Sequence, residues 1–137
     1  MFVVDMTTEK WVDNQNEADL IENPSWNQIE TAIRELDGEK HTLVTLGINE
    51  DIYMSIGGGE NKYIVTATSD NLNFYVLIDA TKFQQVETLV VGGQKGNYPA
   101  NQCVDLLRCL LAARTFTELG KLDSLLIWEE DKSLAVA

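Results

Sequence analysis

The chain has 137 residues, of which 45% are hydrophobic and 23% charged, and its formal net charge is −12. These values indicate one globular domain, residues 1–137, and exclude a disordered chain; no apolar run approaches the roughly 18–20 residues of a membrane-spanning helix. A field this negative repels phosphate backbones, which argues against direct nucleic-acid binding and favours a basic partner.

The first 22 residues are polar and acidic. Phe2–Met6 is a short apolar run that predicts a strand, and the start lacks the basic n-region of a secretory signal. We therefore expect a cytoplasmic protein. Thr7–Glu22 is predicted to be an acidic loop or a loosely attached edge, which becomes an ordered wrap around the domain if Trp11 is buried.

A first helix follows the Asn23-Pro24 pair. Two starts are possible: Asn23 as the N-cap with Pro24 in the first turn, or Ser25 as the N-cap in a capping box with Gln28. Gly38 ends the helix. One apolar face repeats at helical spacing, so we expect a surface helix packed by one stripe. That stripe consists of Trp26, Ile29, Ala32, Ile33 and Leu36.

From His41 the hydrophobic period changes to two, which is typical of strands. Short turn signals between the segments predict an antiparallel meander, and Leu125–Trp128 supplies a further strand at an edge or between the others. The fold class is therefore α+β, with a sheet of about five or six strands in meander order and two main helices. The meander segments are His41–Ile48, Asp51–Ile56, Lys62–Thr68, Asn73–Asp79 and Val86–Val91.

Two glycine clusters interrupt this pattern. The turn Gly57–Asn61 is interpreted as a hairpin or bulge, with an anion-binding nest as the alternative, because it lacks the GK[ST] ending of a nucleotide loop. Gly92–Gly96 is interpreted as a turn between a strand and a helix, or as a loop that contacts a partner or ligand. A helix N-terminus favours anions, and Lys95 adds a positive charge there.

The second helix is predicted to begin with Pro99, to run from Ala100 to Leu119 and to end at Gly120. Apolar side chains surround most of it, so we expect a long helix that is buried on nearly all sides. Cys103 and Cys109 lie six residues apart on it, about 9 Å by the helical rise, which is too far for a disulfide. Both are expected to be reduced core residues.

Catalytic groups are few. His41 is the single imidazole, the chain has no GxSxG motif, and thiols in apolar surroundings are inert. We therefore expect no enzymatic activity, no metal site and no cofactor. Trp128 precedes three carboxylates, Glu129–Asp131, and either closes the sheet or anchors a basic partner against an acidic rim. The six residues after them, 132–137, are expected to fray.

Four segments carry a resemblance to a known family. They are the helix end and strand LDGEKHTLVTL, the hairpin YMSIGGGENKYIV, the segment LVVGGQKGNYP and the closing ARTFTELGKLDSLLIWEE. Between Trp26 and Glu130 the chain resembles the first-numbered immunity-protein family of bacterial polymorphic toxin systems. The resemblance implies an α+β protein that binds and blocks a cognate toxin, often a deaminase and sometimes a nuclease.

A toxin that acts on nucleic acid needs a basic cleft, which an acidic inhibitor can occupy by mimicking the polyanion. Three alternatives stay open: a sensor of small anionic ligands at Gly92–Gly96, an oligomeric scaffold, and acidity that serves solubility alone. The sequence leaves the oligomeric state undetermined. The candidate partner contacts are Glu50, Asp51, Gly58, Glu60, Gln94, Glu129, Glu130 and Asp131.

Overall fold

The computed structural model describes residues 1–82 and 85–131, so the expected fraying of 132–137 lies outside the described residues. The strands before the long helix are β1 (Asp5–Val12), β2 (Gln15–Asn16), β3 (Asp19–Glu22), β4 (His41–Gly47), β5 (Tyr53–Gly59), β6 (Lys62–Thr68), β7 (Phe74–Ile78), β8 (Val86–Val91) and β9 (Gln94–Pro99). The helices α1 (Trp26–Arg34) and α2 (Leu106–Leu119), a short 3-10 helix at Ala100–Gln102 and the last strand, β10 (Ile127–Glu130), complete the order.

The main sheet is antiparallel, in the order β10-β7-β6-β5-β4-β1-β2, and β3 also pairs with β1. The strands β8 and β9 form a separate two-stranded hairpin. The predicted α+β class and the meander from β4 to β7 are confirmed. The sheet has eight strands instead of five or six because residues 5–22 contribute three, while β8 leaves the meander and β10 joins at an edge beside β7.

The strand expected at Phe2–Met6 begins three residues later, at Asp5, and the loop expected at Thr7–Glu22 is wrong, because three strands at one edge of the sheet occupy that segment. The strand β1 begins at Asp5, pairs with β4 on one side, and pairs with β2 and β3 on the other. It buries Met6 on the helix side of the sheet, opposite Leu46. The strand has the composition of a loop because its other face is polar. Trp11 is half-buried, and the pairing of β1, β2 and β3 makes residues 5–22 an ordered part of the sheet.

The helix α1 begins with the second of the two predicted caps. The Ser25 hydroxyl accepts a hydrogen bond from the Gln28 N–H at 3.1 Å, and the Gln28 side chain accepts one from the Ser25 N–H at 2.9 Å. This reciprocal pair satisfies two of the N–H groups that have no partner inside the helix. The predicted apolar stripe is confirmed at Ile29 and Ile33, which are fully buried.

The helix α2 begins at Leu106, six residues later than predicted. Val104 forms an antiparallel bridge with Tyr63, which holds the chain extended there and leaves Asp105 to cap the helix through the Arg108 N–H at 2.9 Å. Cys103 therefore precedes the helix, and only Cys109 lies on it. Gly120 ends the helix in the left-handed conformation, as predicted, with φ at 69°.

The expectation that α2 is buried on nearly all sides is wrong for three leucines. The helix buries Cys109, Ala112 and Phe116 against the sheet, but nothing among residues 1–82 and 85–131 covers its outer side. Leu107, Leu111 and Leu119 are consequently 67%, 44% and 54% exposed. The main sheet is therefore one layer and the two helices a second, whose outer side is exposed at these leucines.

Each face of the sheet has its own apolar cluster. The face toward the helices carries the larger one, which includes Leu46, Met54 and Ile56. The opposite face carries Ile64, Val76, Ile78, Leu89 and Cys103. Leu89 belongs to β8, so the β8–β9 hairpin covers part of this second face. Trp128 packs against the larger cluster and donates from its indole nitrogen to the Asp123 carbonyl at 3.1 Å.

The glycines predicted as a turn lie within β5, and the turn itself is Glu60-Asn61, with φ values of 53° and 65°. Gly57 is needed because the hairpin approaches closely: a Cβ on it would lie 2.5 Å from the Val91 Cγ1. At Gly59 a Cβ would lie 2.6 Å from the Asp37 carbonyl carbon. The lack of a side chain at these glycines allows neighbouring segments of the chain to pack against β5, and this packing accounts for them without an anion.

Asp79 ties the end of β7 to α2. Its carboxylate accepts hydrogen bonds from the Thr81 hydroxyl at 2.6 Å and the Thr81 N–H at 3.0 Å, and lies 3.6 Å from the Arg108 guanidinium. The Thr81 hydroxyl bond lowers the pKa of Asp79 most; burial opposes this, and Arg108 and Lys82 assist it. The ionised form is therefore the one that the fold stabilises.

Gly57→Ala should destabilise the protein by about 1–3 kcal/mol, because the stiff Val91 side chain cannot yield to the added methyl group. Chemical denaturation monitored by fluorescence measures the change. The double variant Gly57→Ala/Val91→Ala should be less unstable than the two single losses added together. The close contact would be contradicted if the losses in unfolding free energy of the two single variants were additive in the double variant, or if Gly57→Ala caused no loss.

Asp79→Asn should cost about 1–3 kcal/mol at neutral pH, since it weakens a buried, hydrogen-bonded carboxylate. The folded pKa of Asp79 lies below its unfolded value, so its contribution is complete above the unfolded pKa and is lost as pH falls through the folded one. The difference in unfolding free energy between variant and wild type should therefore shrink below about pH 4. A pH-independent difference would contradict this role.

Candidate partner-binding face

The second face of the sheet is covered at one end by the β8–β9 hairpin and is open at the other. Strand register places a row of four hydroxyl side chains across β1, β4, β5 and β6, each directly opposite the next. All four are half-buried. We call this set the hydroxyl row: Thr7, Thr45, Ser55 and Thr66.

An aromatic pair stands next to the hydroxyl row. The rings of Tyr53 and Phe74 meet edge to face, with centroids 6.4 Å apart, and the Tyr53 hydroxyl donates to the Asn71 side chain at 2.8 Å. Both rings are half-exposed. Half-exposed aromatic side chains that are held in place are a common source of binding energy at protein interfaces.

Carboxylates surround the open half of this face. Glu129 projects from β10 at one edge, since it pairs with Val76 of the second face, and Asp131 follows it beside Phe74. At the other edge Asp5 pairs with Glu22 and lies against Gly47. The open half therefore has a polar and aromatic floor with acidic margins. We call it the open face.

A groove of about 400 Å³ separates the hydroxyl row from β9. Burial raises the pKa of Tyr98, so its phenol stays protonated at neutral pH. Asp131 supplies a carboxylate, and no lysine or arginine of the described ranges is among the lining residues. The lining comprises Leu43, Ser55, Gly57, Ile64, Thr66, Val91, Asn97, Tyr98, Pro99, Gln102 and Asp131.

The interpretation of Gly92–Gly96 as a turn leading into a helix is wrong. Gly92 and Gly93 form the tight turn between β8 and β9, with φ values of 59° and 75°, and Gly96 lies inside β9. The helix begins at Leu106, well beyond this turn. The hypothesis of an anionic-ligand sensor depended on a helix N-terminus at this turn, which the structure does not have there. The nearby groove would repel an anion, because its lining includes the carboxylate of Asp131.

The structure brings some of the candidate contacts together and separates others. Glu50 and Asp51 are exposed in the β4–β5 turn, at the open end of the sheet, where Glu129 and Asp131 also lie. The other four candidates lie elsewhere. Glu60 occupies the turn at the opposite end, Gln94 the hairpin tip, Glu130 the helix side of the sheet, and Gly58 a buried position.

Sequence reasoning did not identify the hydroxyl row or the carboxylates of Asp5 and Glu22. The alternation within β5 places Tyr53 and Ser55 on one face, which is a usable signal for that strand alone. Joining the four hydroxyls into a row requires the register between strands. Asp5 and Glu22 could not be assigned to a sheet from the sequence, because the segment that contains them has the composition of a loop.

Groups with catalytic potential do not converge on the open face. His41 is the half-buried first residue of β4. Burial raises the pKa of Cys103 to about 11, with Glu87 adding to the effect, and burial also raises the pKa of Cys109. Within residues 1–82 and 85–131, no three histidine, cysteine or acidic side chains are placed to share a metal ion. In the part of the chain that the structure describes, no helix is long and apolar enough to span a membrane.

Comparison with known proteins gives one match. The family model described as "Immunity protein Imm1" matches residues 17–130, which is most of the chain. The match includes the strands of the open face from β4 onward and all of β10. No curated protein and no solved structure matches the chain.

Both thiols should resist alkylation at pH 8 in the native protein. With the pKa of Cys103 at about 11, its thiolate fraction is more than 100-fold below that of an ordinary cysteine, and Cys109 is fully buried. Iodoacetamide labelling followed by mass spectrometry measures the rates. Both residues should react readily in denaturant, and rapid labelling of the native protein would contradict their burial.

Proposed function

Because the chain belongs to the Imm1 family of immunity proteins, we propose that it neutralises a cognate bacterial toxin domain by forming a stoichiometric complex with it. The observation that carries the proposed binding site is the open face, where aromatic and hydroxyl side chains lie within acidic margins. Interfaces of this kind combine a desolvated centre with a charged rim. The protein acts by binding in this proposal, without a chemical step.

The partner is a toxin domain with a basic active-site cleft, of the deaminase or nuclease type. Such a cleft binds a polyanion, and the net charge of −12 lets this chain compete for it. Complementary charge also accelerates encounter and lowers affinity for acidic bystanders. Occupying the cleft excludes nucleic acid from the catalytic residues of the toxin.

The proposed contacts are the carboxylates at the margins of the open face. Four of them come from the candidate residues of the sequence, and Asp5 and Glu22 join them at the opposite edge. Glu60, Gln94 and Glu130 lie outside the open face, and buried Gly58 has a supporting role in packing. The four retained candidates are Glu50, Asp51, Glu129 and Asp131.

The double reversal Glu22→Lys/Glu129→Lys should weaken toxin binding about 10- to 100-fold, because like charges across an interface cost several kcal/mol. The matched control Glu35→Lys/Glu39→Lys changes net charge equally but lies at and after the end of α1. It should change the dissociation constant less than about threefold. Calorimetric titration against the toxin domain encoded beside this chain's gene measures both.

Two results would overturn the proposal at different levels. If that toxin domain forms no complex with the wild-type protein, and co-expression gives no rescue of growth, the chain does not act on this toxin. If test and control variants weaken binding equally, overall charge drives association and the open face is not the binding site.

A further inference from the structure

We propose that the groove beside the hydroxyl row receives a basic loop of the toxin, with a lysine or arginine side chain inserted between the sheet and β9. This inference rests on the proposed function and specifies how the open face recognises its partner. The occupant is a cationic peptide segment rather than a free metabolite. The argument comes from the chemistry of the lining, its charge, and the way the hairpin is held.

The lining of the groove is divided by polarity. Leu43, Ile64 and Val91 form an apolar part, while Ser55 and Thr66 of the hydroxyl row form a polar part. Long cationic side chains have the same division, because an aliphatic stem carries a charged head that must stay hydrogen-bonded. A purely apolar side chain would leave the hydroxyls without partners, at a cost in desolvation.

Size and charge restrict the occupant further. A volume of about 400 Å³ exceeds the needs of one side chain and suits the tip of a loop. The side-chain oxygen of Gln102 can accept a hydrogen bond from a guanidinium or ammonium group, and Asp131 adds a negative charge. With no lysine or arginine of residues 1–82 and 85–131 in the lining, an acidic loop would find no positive charge to offset its own.

The hairpin that forms the outer wall is held at both ends, so the groove exists before the toxin arrives. At its tip the Gly93 N–H donates to the Thr42 hydroxyl at 2.9 Å, and the Gly92 N–H donates to the Thr42 carbonyl at 3.3 Å. At its base Glu87 lies 3.2 Å from Lys62. A preformed groove spares the complex the entropy of ordering the hairpin.

Thr66→Trp fills the groove without changing the charge, since the side chain of Thr66 lies in its floor. We expect at least a 100-fold loss of affinity for the toxin domain, measured by calorimetric titration. Thr31→Trp, on the exposed side of α1, is the matched control and should bind within about threefold of wild type. Thermal unfolding of both variants confirms that they are folded.

Asn97→Arg provides a second test at an exposed residue of β9, where substitution does not disturb the core. Asn97 pairs with Thr88 on the outward side of the hairpin and accepts a hydrogen bond from its hydroxyl at 3.0 Å. An arginine there places a positive charge at the rim of the groove and should weaken binding at least 10-fold. Arginine amide, titrated alone, tests whether the site takes a free cation. If arginine amide binds with a millimolar or weaker dissociation constant, the result supports a toxin loop as the occupant. If it binds as tightly as the toxin does, the groove is a site for a free cation and the inference is overturned.

The failure of this inference is distinguishable from that of the proposed function. If wild type binds and neutralises the toxin while folded Thr66→Trp and Asn97→Arg bind within threefold, the groove is not the recognition site and the immunity function stands. If wild type itself forms no complex with the toxin domain, the proposed function fails, and this inference fails with it.

Discussion

The close contact between Gly57 and Val91 sets the position of the β8–β9 hairpin on the sheet. Because Gly57 has no side chain, β8 lies directly on the sheet at that point, and the hairpin then reaches across to Thr42 of β4. One half of the second face becomes a small apolar core around Leu89, and the other half stays open. The groove is the boundary between these halves, so its shape follows from one glycine within a strand.

The two faces of the sheet differ in how much apolar surface they bury. The helix side carries most of the buried apolar residues, including the fully buried Leu46 and Ile56, and α1 and α2 cover it. Burial of that surface is the main source of stability. The second face is therefore free to carry hydroxyl and carboxylate groups, which would be costly inside a core without partners.

Membership of the Imm1 family and the charge of the chain bear on different aspects of the proposed partner. The family implies a toxin as the partner, and the net charge of −12 is the reason for proposing a basic one. Net charge alone does not select a surface, because exposed carboxylates such as Glu39 and Glu60 lie at the other end of β5, near the bridge between Asp37 and Gly59. In the proposed complex, the aromatic pair and the groove provide the shape complementarity that net charge cannot provide.

The sequence by itself determined the local features: the β4–β7 meander, the apolar stripe of α1 and the end of α2 at Gly120. Each depends on residues close together in the chain, where hydrophobic period and turn chemistry suffice. Only the tertiary structure decided that polar β1 joins the sheet, that Val104 pairs with Tyr63 and delays α2, and that the hydroxyls form one row. Those features arise from pairing between distant segments, and a strand with one polar face carries too little apolar pattern to reveal its neighbours.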